Sequence, residues 1–483
     1  MIFKNKVLLI GYGAVARCVI PILLKHVSMP CRNITVIDFA DKRKELQPWI
    51  RRGVKFVQER ITPINFAQVL SEHVGPGGII IDLAWNIDCI DILNWCHENK
   101  ILYVNTSVEE WDPYADIHSK TPFEKSLCYR QKEIRKMAAR WQSPATTAVI
   151  DHGANPGLIS HFTKKGLADI ARRSLGDERL SPQKKQRIRE RLRAKVFSHL
   201  ARELGVKVIH ISEHDTQITN QPKRQDEFVG TWSIEGLREE GMAPAEMGWG
   251  THEKAIPLFS TFPPNNGRNQ IFLSQMGMNT WIRSWVPPNE EIIGMVIRHA
   301  EAISISQHLT VEEKGKVVYS PTVHYAYLPC NETITSLHEL RGRNYNLQKK
   351  LRILGDEITE GADTLGALIM GHHYNSWWTG SVLSIEEARR LVPHQNATTI
   401  QVAIGAVSAL LWMIENPEEG VCMPDDLPYE SILKIARPYL GRLVSAQSGW
   451  TPLKNYQIFF KENPNLILDR KNPWSFNNFL FCD

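Results

Sequence analysis

The chain has 483 residues, 43% hydrophobic and 23% charged, which is enough apolar material for two or three packed domains and excludes disorder as the main state. Its net charge of +5 is local: residues 172–195 carry ten Lys/Arg against three acids and leave the remainder at −2. That run is expected to be a solvated helical face, and no recognition motif accompanies it to suggest nucleic acid as a partner.

The N-terminus, MIFKNKVLLIGYGAVARC, sets two Lys before an apolar stretch. Gly11, Gly13 and Arg17 interrupt it and no small-residue cleavage site follows, so a strand and a helix are expected rather than a leader. KVLLIG (6–11) is a strand ending in glycine, and Val15 to Leu24 follows with helical spacing. NITVID (33–38), VKFVQE (54–59), GIIIDLAW (78–85) and ILYVNTS (101–107) are further strands, separated by helices over 41–51, 64–73 and 88–98. Nearly continuous apolar strands alternating with helices predict a doubly wound parallel sheet covered on both faces.

The order then changes. Residues 126–142 have the pattern of a long amphipathic helix, and 146–160 that of a strand, a Gly/Pro turn and a helix start. Strands are expected near 206–212, 227–234, 269–275, 279–285, 317–319 and 323–328, which makes the middle region α+β with an antiparallel or mixed sheet. The uncharged run VAIGAVSALLWMI (402–414) is shorter than the roughly 20 residues of a bilayer span and is expected to be a buried helix, so no membrane is expected as a partner. The fold class is therefore α/β: an N-terminal Rossmann domain over 1–155, an α+β substrate and dimerisation domain over 156–395, and a C-terminal segment over 396–483 whose first helix packs back on the first domain. Eight Cys without a CxxC pair fit a reduced, cytoplasmic protein. The 17 His include no HExxH, and no Cys/His spacing suits zinc, so no metal is expected.

Gly11-x-Gly13-x-x-Ala16, between the first strand and the first helix, carries a dinucleotide signature. Gly11 permits the tight turn, Gly13 lets backbone approach a pyrophosphate, and Ala14, Val15 and Ala16 begin the helix whose free N–H groups would receive the phosphates. Asp38 ends the second strand, 22 residues after Ala16, where an acid bonds a ribose hydroxyl and opposes a 2′-phosphate. NAD is the expected cofactor; Lys42 and Arg43, close behind, are the residues that would favour NADP instead. Leu83, Ala84 and Trp85 at the fourth strand end, and Thr106 and Ser107 at the fifth, are expected to border the cofactor.

The segment TWSIEGLREEGMAPAEMGWGTHE (231–253) mixes five Glu with two Trp, a composition suited neither to a loop nor to a core. It suits a cationic ligand, or else a helix and a strand whose charges face water. DHGANPGLISHF (151–162), HISEHDTQ (210–217), this segment, GMVIRHAEAISIS (294–306) and PTVHYAYLPC (321–330) together resemble bacterial homospermidine synthases, within the wider group of saccharopine dehydrogenase-like and carboxynorspermidine dehydrogenase enzymes.

The resemblance implies a cytoplasmic homodimer that uses NAD as a retained hydride carrier. Putrescine is oxidised to an imine, ammonia is lost, a second putrescine is joined and the new imine is reduced, with spermidine as a further aminobutyl donor and other polyamines as ligands. It also assigns roles. Trp232 holds the cationic intermediate by its ring face, Glu213 and Glu240 surround the polyamine, His299 passes protons, and Asn155 stands where nicotinamide and substrate meet. Asp88, Glu109 and Asp363 are further acids toward the substrate. The rival enzyme reading is a net NAD(P)-dependent dehydrogenase of the saccharopine or carboxynorspermidine type, whose carboxylate substrates would call for Arg clamps rather than acids. The non-enzyme rival is an NAD sensor or a nucleic-acid binder that uses the basic run.

Overall fold

The computed structural model describes residues 1–113, 115, 119–121, 123–263, 269–288, 290–454 and 468–481. Six strands, β1 (Val7–Ile10), β2 (Ile34–Asp38), β3 (Lys55–Gln58), β4 (Ile79–Asp82), β5 (Leu102–Asn105) and β6 (Ala145–Val149), form a parallel sheet in the order 3-2-1-4-5-6, and Glu419–Cys422 adds a parallel strand beside β6. β1, β2, β4 and β5 are buried throughout, which explains why Val, Ile and Leu dominate them rather than alternating with polar residues. The order reverses between β1 and β4, so a crevice opens at their C-terminal ends, where this fold receives dinucleotides. The expected Rossmann sheet is thus present.

The second sheet is mixed. From one edge its path runs through Ser260–Thr261, Gln270–Met276, Pro244–Gly248, Thr322–Leu328, Val208–Asp215, Ala362–His372, Asn375–Ser384 and Arg442–Ser448. Thr322–Leu328 and Val208–Asp215 run parallel, and their other partners on the path run antiparallel. Period 2 and this register decide the chemistry. Tyr327 lies opposite Glu213, Glu213 opposite Leu365, and Asp215 opposite Asp363. Acids far apart in sequence therefore share one face, together with Tyr325 and Tyr327.

Two local expectations are corrected. The strand expected over 227–234 ends at Gly230, and Ser233 caps a helix, Ile234–Met242, by accepting from Gly236 N–H. The helix expected over 126–142 spans Leu127–Ala138. The basic run divides between the end of helix Leu158–Leu175 and helix Pro182–Ala194, where Ile188 is the one buried residue; the charges do face water.

Helix Ala397–Glu415 is long and apolar enough to cross a membrane by composition, but it is buried within the protein and packs against α1 (Ala14–His26). Its N-terminal end stands between the two sheets: Thr398 hydroxyl donates to Asp363 on the second sheet at 2.7 Å, and the helix also contacts β5 and β6. Of the last sixty residues, 455–467 and 482–483 lie outside those described.

Candidate active site

The crevice at the C-terminal ends of β1 and β4 is a cleft of about 430 Å³. Gly11, Gly13, Ala14, Val15, Ala16, Asp38, Leu83, Ala84 and Trp85 all line it. Gly11 has φ +83°, and a Cβ there would come within 3.0 Å of the Leu83–Ala84 backbone, so this turn requires glycine. A Cβ at Gly13 would meet nothing within 4 Å, which is the open approach a bulky ligand group needs. Gly13 also begins α1 without any side-chain cap, and the first turn holds no acid. The first N–H groups of α1 and its positive dipole end are free for an anion. Asp38 Oδ2 accepts from Tyr12 N–H and Oδ1 from Ala40 N–H, each at 2.8 Å, so one carboxylate ties the glycine turn to the end of β2. Each oxygen keeps a further lone pair for a hydroxyl. Lys42 lines the same cleft, whereas Arg43 is paired with Asp41 at 3.0 Å.

Val15, Leu83, Ala84, Trp85, Trp232 and Ser233 also border a second, inner cavity of about 150 Å³. Glu109, Asn155, Glu213, Glu240, His299, Asp363 and Thr106 line it as well. Thr106 and Asn155, expected beside the cofactor, face this chamber and not the glycine cleft.

Asp88 lies elsewhere. Its Oδ1 caps helix Cys89–Glu98 by accepting from Ile90 and Asp91 N–H, and its Oδ2 accepts from Arg130 at 3.0 Å. Both oxygens are thus engaged in holding the first domain together, and Asp88 does not border the cavity.

The cavity has excess buried acceptor capacity. Glu213, 4% exposed, accepts from the Tyr325 hydroxyl, and Asn155 Nδ2 donates to it at 3.3 Å. Burial pushes its carboxyl up to about 7. Asp363 is fully buried; Oδ2 takes the Thr398 hydroxyl and Oδ1 has no partner. Burial first, then Glu213 and Asp215, pushes it well above the carboxylate range. Glu240 Oε2 is likewise buried without a partner, and Glu240 is raised by burial with Glu239, Glu109 and Asp151 adding to the effect. Glu109 accepts from Ser107 at 2.8 Å, and burial raises it to about 8. Burial keeps several carboxyls around one cavity from ionising, and a cation beside them would favour their charged form.

Trp232 borders both spaces, and its Nε1–H donates to the Tyr327 hydroxyl at 3.0 Å. The Tyr327 ring stacks on Tyr325 with centroids 5.2 Å apart, and Tyr325 meets His299 edge-on at 5.0 Å. His299 is 4% exposed and burial lowers it to about 3. Burial thus favours the neutral imidazole, which keeps a hydrogen bond with the Asn155 backbone.

The segment 231–253 thus divides its acids. Glu240 faces the cavity. Its neighbour Glu239 pairs with Arg298 at 2.5 Å and accepts from Trp85 Nε1 at 3.2 Å. Glu246 accepts from Leu127 and Cys128 N–H and so caps another helix. Glu253 accepts from Thr322 and Phe476. Trp249 is a core residue against Phe476.

Residues 7–149 match the family model of the saccharopine dehydrogenase NADP binding domain, and residues 153–448 that of the saccharopine dehydrogenase C-terminal domain. The chain is 39% identical to the homospermidine synthase of Blastochloris viridis over 99% of its own length and 97% of the relative's. It is 37% identical to that of Mesorhizobium japonicum over 98% and 96%. The chain belongs to the homospermidine synthase family. It is an enzyme of that type, as its sequence motifs led one to expect. The crystal structure of the Legionella pneumophila homospermidine synthase in complex with NAD superposes with a TM-score of 0.88 at 35% identity, covering 100% of this chain and 99% of that one.

In this member of the homospermidine synthase family, the motif reading left Tyr325, Tyr327, Thr398 and Gln401 without roles. Tyr325, Thr398 and Gln401 line the cavity, and Tyr327 bonds the indole of Trp232. The alternating aromatics of HYAYL were visible, but alternation in a strand equally describes core packing. Thr398 and Gln401 stand at the start of an apolar helix and give no signal at all.

Proposed function

We propose that this chain transfers the aminobutyl group of putrescine to a second putrescine, forming homospermidine and ammonia, with NAD as the retained cofactor and spermidine as a further donor. The observation that carries this reading is the convergence of Glu109, Glu213, Glu240 and Asp363 with the face of Trp232 on one small cavity that opens at Val15 and Leu83–Trp85 into the glycine cleft. The cavity's size suits a slender aliphatic chain, and its acids suit a dication. Among the described residues that line this cavity there is no Arg to clamp a carboxylate substrate, which disfavours the net dehydrogenases.

The uncapped start of α1, the open space at Gly13 and the lone pairs of Asp38 fit a dinucleotide. NAD bound there supplies a hydride acceptor for the amine-bearing carbon and a hydride donor for the imine formed later. The protein's own part is to hold cations. Glu213 and Asp363 neutralise the far ammonium of the donor, Trp232 presents its ring to the cationic carbon–nitrogen group, and Glu109 and Glu240 receive the incoming amine. His299 and Asn155 lie between these groups and offer hydrogen bonds without carrying charge. Burial of the cavity keeps out water that would hydrolyse the imine.

The family model for residues 7–149 is described as NADP binding, yet Asp38 would confront a 2′-phosphate with a buried carboxylate. We expect kcat/KM for NAD to exceed that for NADP by ~100-fold, since like-charge contacts cost several kcal/mol. Comparable turnover with NADP would transfer the role to Lys42.

The test of the function is a hydride balance. Putrescine deuterated on both carbons that bear nitrogen, incubated with NAD far below the putrescine concentration, should yield homospermidine through many turnovers with no net NADH, and should retain all of the deuterium. Stoichiometric NADH, or deuterium lost to a free cofactor pool, would show a dehydrogenase instead.

A further inference from the structure

A second, smaller space of about 40 Å³ adjoins the inner cavity, and the two share Ser107, Glu109, Pro156, Gly236, Glu240 and His299. It exceeds the ~10–15 Å³ that a single water requires and is too small for a diamine. Asp151 stands on its wall. Asp151 is 2% exposed; the Gln131 side chain and Val108 N–H hydrogen-bond its carboxyl, while its Oδ2 has no partner. Its backbone N–H is fixed by Asn105 Oδ1 at 2.8 Å, so the residue is held in place. His299 Nδ1 and Glu240 Oε2, on the same walls, are also buried and unpartnered. Three buried side-chain atoms of Asp151, Glu240 and His299 that can accept a hydrogen bond and have no partner, around a space for one small molecule, suit a small ligand rich in donors. Arg298 also lines the space; its charge is engaged by Glu239 at 2.5 Å and its Nη1 donates to Lys125 O at 2.9 Å, while its Nε is a buried donor without a partner.

Resting on the synthase reading above, we infer that this side chamber receives the nitrogen that leaves during aminobutyl transfer and holds it as an ammonium ion on Asp151. The amine of the second putrescine adds to the imine carbon and forms the new carbon–nitrogen bond; the bond to the original nitrogen breaks and ammonia departs. Two putrescines give one homospermidine and one ammonia, with no outside oxidant. A protonated Asp151 gives its proton to ammonia, and the product is a carboxylate–ammonium pair. Burial lifts Asp151 to about 7, so a protonated population exists near neutrality, and ammonia is the stronger base. Removal to the side chamber matters because ammonia left beside the imine adds back and returns putrescine.

Rubidium has the charge and nearly the size of ammonium and scatters anomalously. Crystals of the NAD-bound enzyme soaked in rubidium chloride should show an anomalous peak against the Asp151 carboxylate, displaced by ammonium chloride and absent from Asp151→Asn. Asn suits the left-handed backbone at this position (φ 56°), so the variant should fold. In solution, ammonium chloride, set against sodium chloride, should inhibit homospermidine formation with a constant at least tenfold higher in Asp151→Asn. A wild-type chamber holding only water at saturating rubidium overturns the inference and leaves the synthase reading intact. If putrescine with NAD yields no homospermidine, the synthase reading fails in its own assay, and the assignment of the chamber to a leaving group falls with it.

Discussion

Glu213→Gln is expected to reduce homospermidine formation ~10²–10³-fold while NAD affinity stays within about twofold, because removing one partner of a buried charge pair costs roughly 3–5 kcal/mol and each 1.4 kcal/mol is tenfold. The substitution keeps shape and keeps an acceptor for the Tyr325 hydroxyl and for Asn155 Nδ2. It removes only the charge that an ammonium would meet. Glu213 does not line the glycine cleft, so the cofactor should not sense the change. Asp215, two residues on, supplies the internal control. It is as buried as Glu213, but Gln217 and Thr231 donate to both of its oxygens. Asp215→Asn should therefore appear as lost thermal stability more than as a raised KM for putrescine. Unimpaired diamine kinetics in Glu213→Gln, with the fold intact by circular dichroism, would remove the cation-site reading of this sheet face.

The second large effect is expected at Trp232. A cation over an indole face gains ~2 kcal/mol or more when water is excluded, so Trp232→Leu should lose ~30-fold or more in kcat/KM. Phe and Tyr keep a ring face and should retain more activity than Leu at similar stability. The indole also needs its orientation, which the bond from Nε1–H to the Tyr327 hydroxyl sets at 3.0 Å. Tyr327→Phe should therefore reduce turnover in the wild-type background and have little further effect once Trp232 is Phe, which lacks the N–H. Kinetics of the two single variants and the double variant measure this coupling. Additive losses, or a Leu variant as active as Phe, would reduce Trp232 to packing.

Much of this was legible in the sequence because it was written locally. The glycine turn, the acid at the end of the next strand and the apolar runs of the first sheet are each signalled by a short stretch of chain, and the strand–turn–helix–strand order tells where they meet. The motif around Trp232 and the Glu239–Glu240 pair was equally plain, but two adjacent acids on a helix could not be told apart. Only the third dimension separates them: Arg298 and Trp85 claim Glu239, and Glu240 is left facing the cavity. His299 shows the same limit. Its residue type suggests a near-neutral titration, whereas its burial makes it a neutral group, and burial is a property of the assembled core rather than of the motif. Asp88 appeared as one more acid toward the substrate until Arg130 and a helix N-terminus took both of its oxygens. The cation site itself was decided by strand register. Glu213 and Asp363 are 150 positions apart, and nothing in the chain between them says that their strands pair. Pairing of Val208–Asp215 with Ala362–His372, in a register that sets Asp215 against Asp363, puts both acids on one face; a slip of one residue would have sent one of them to the other side of the sheet.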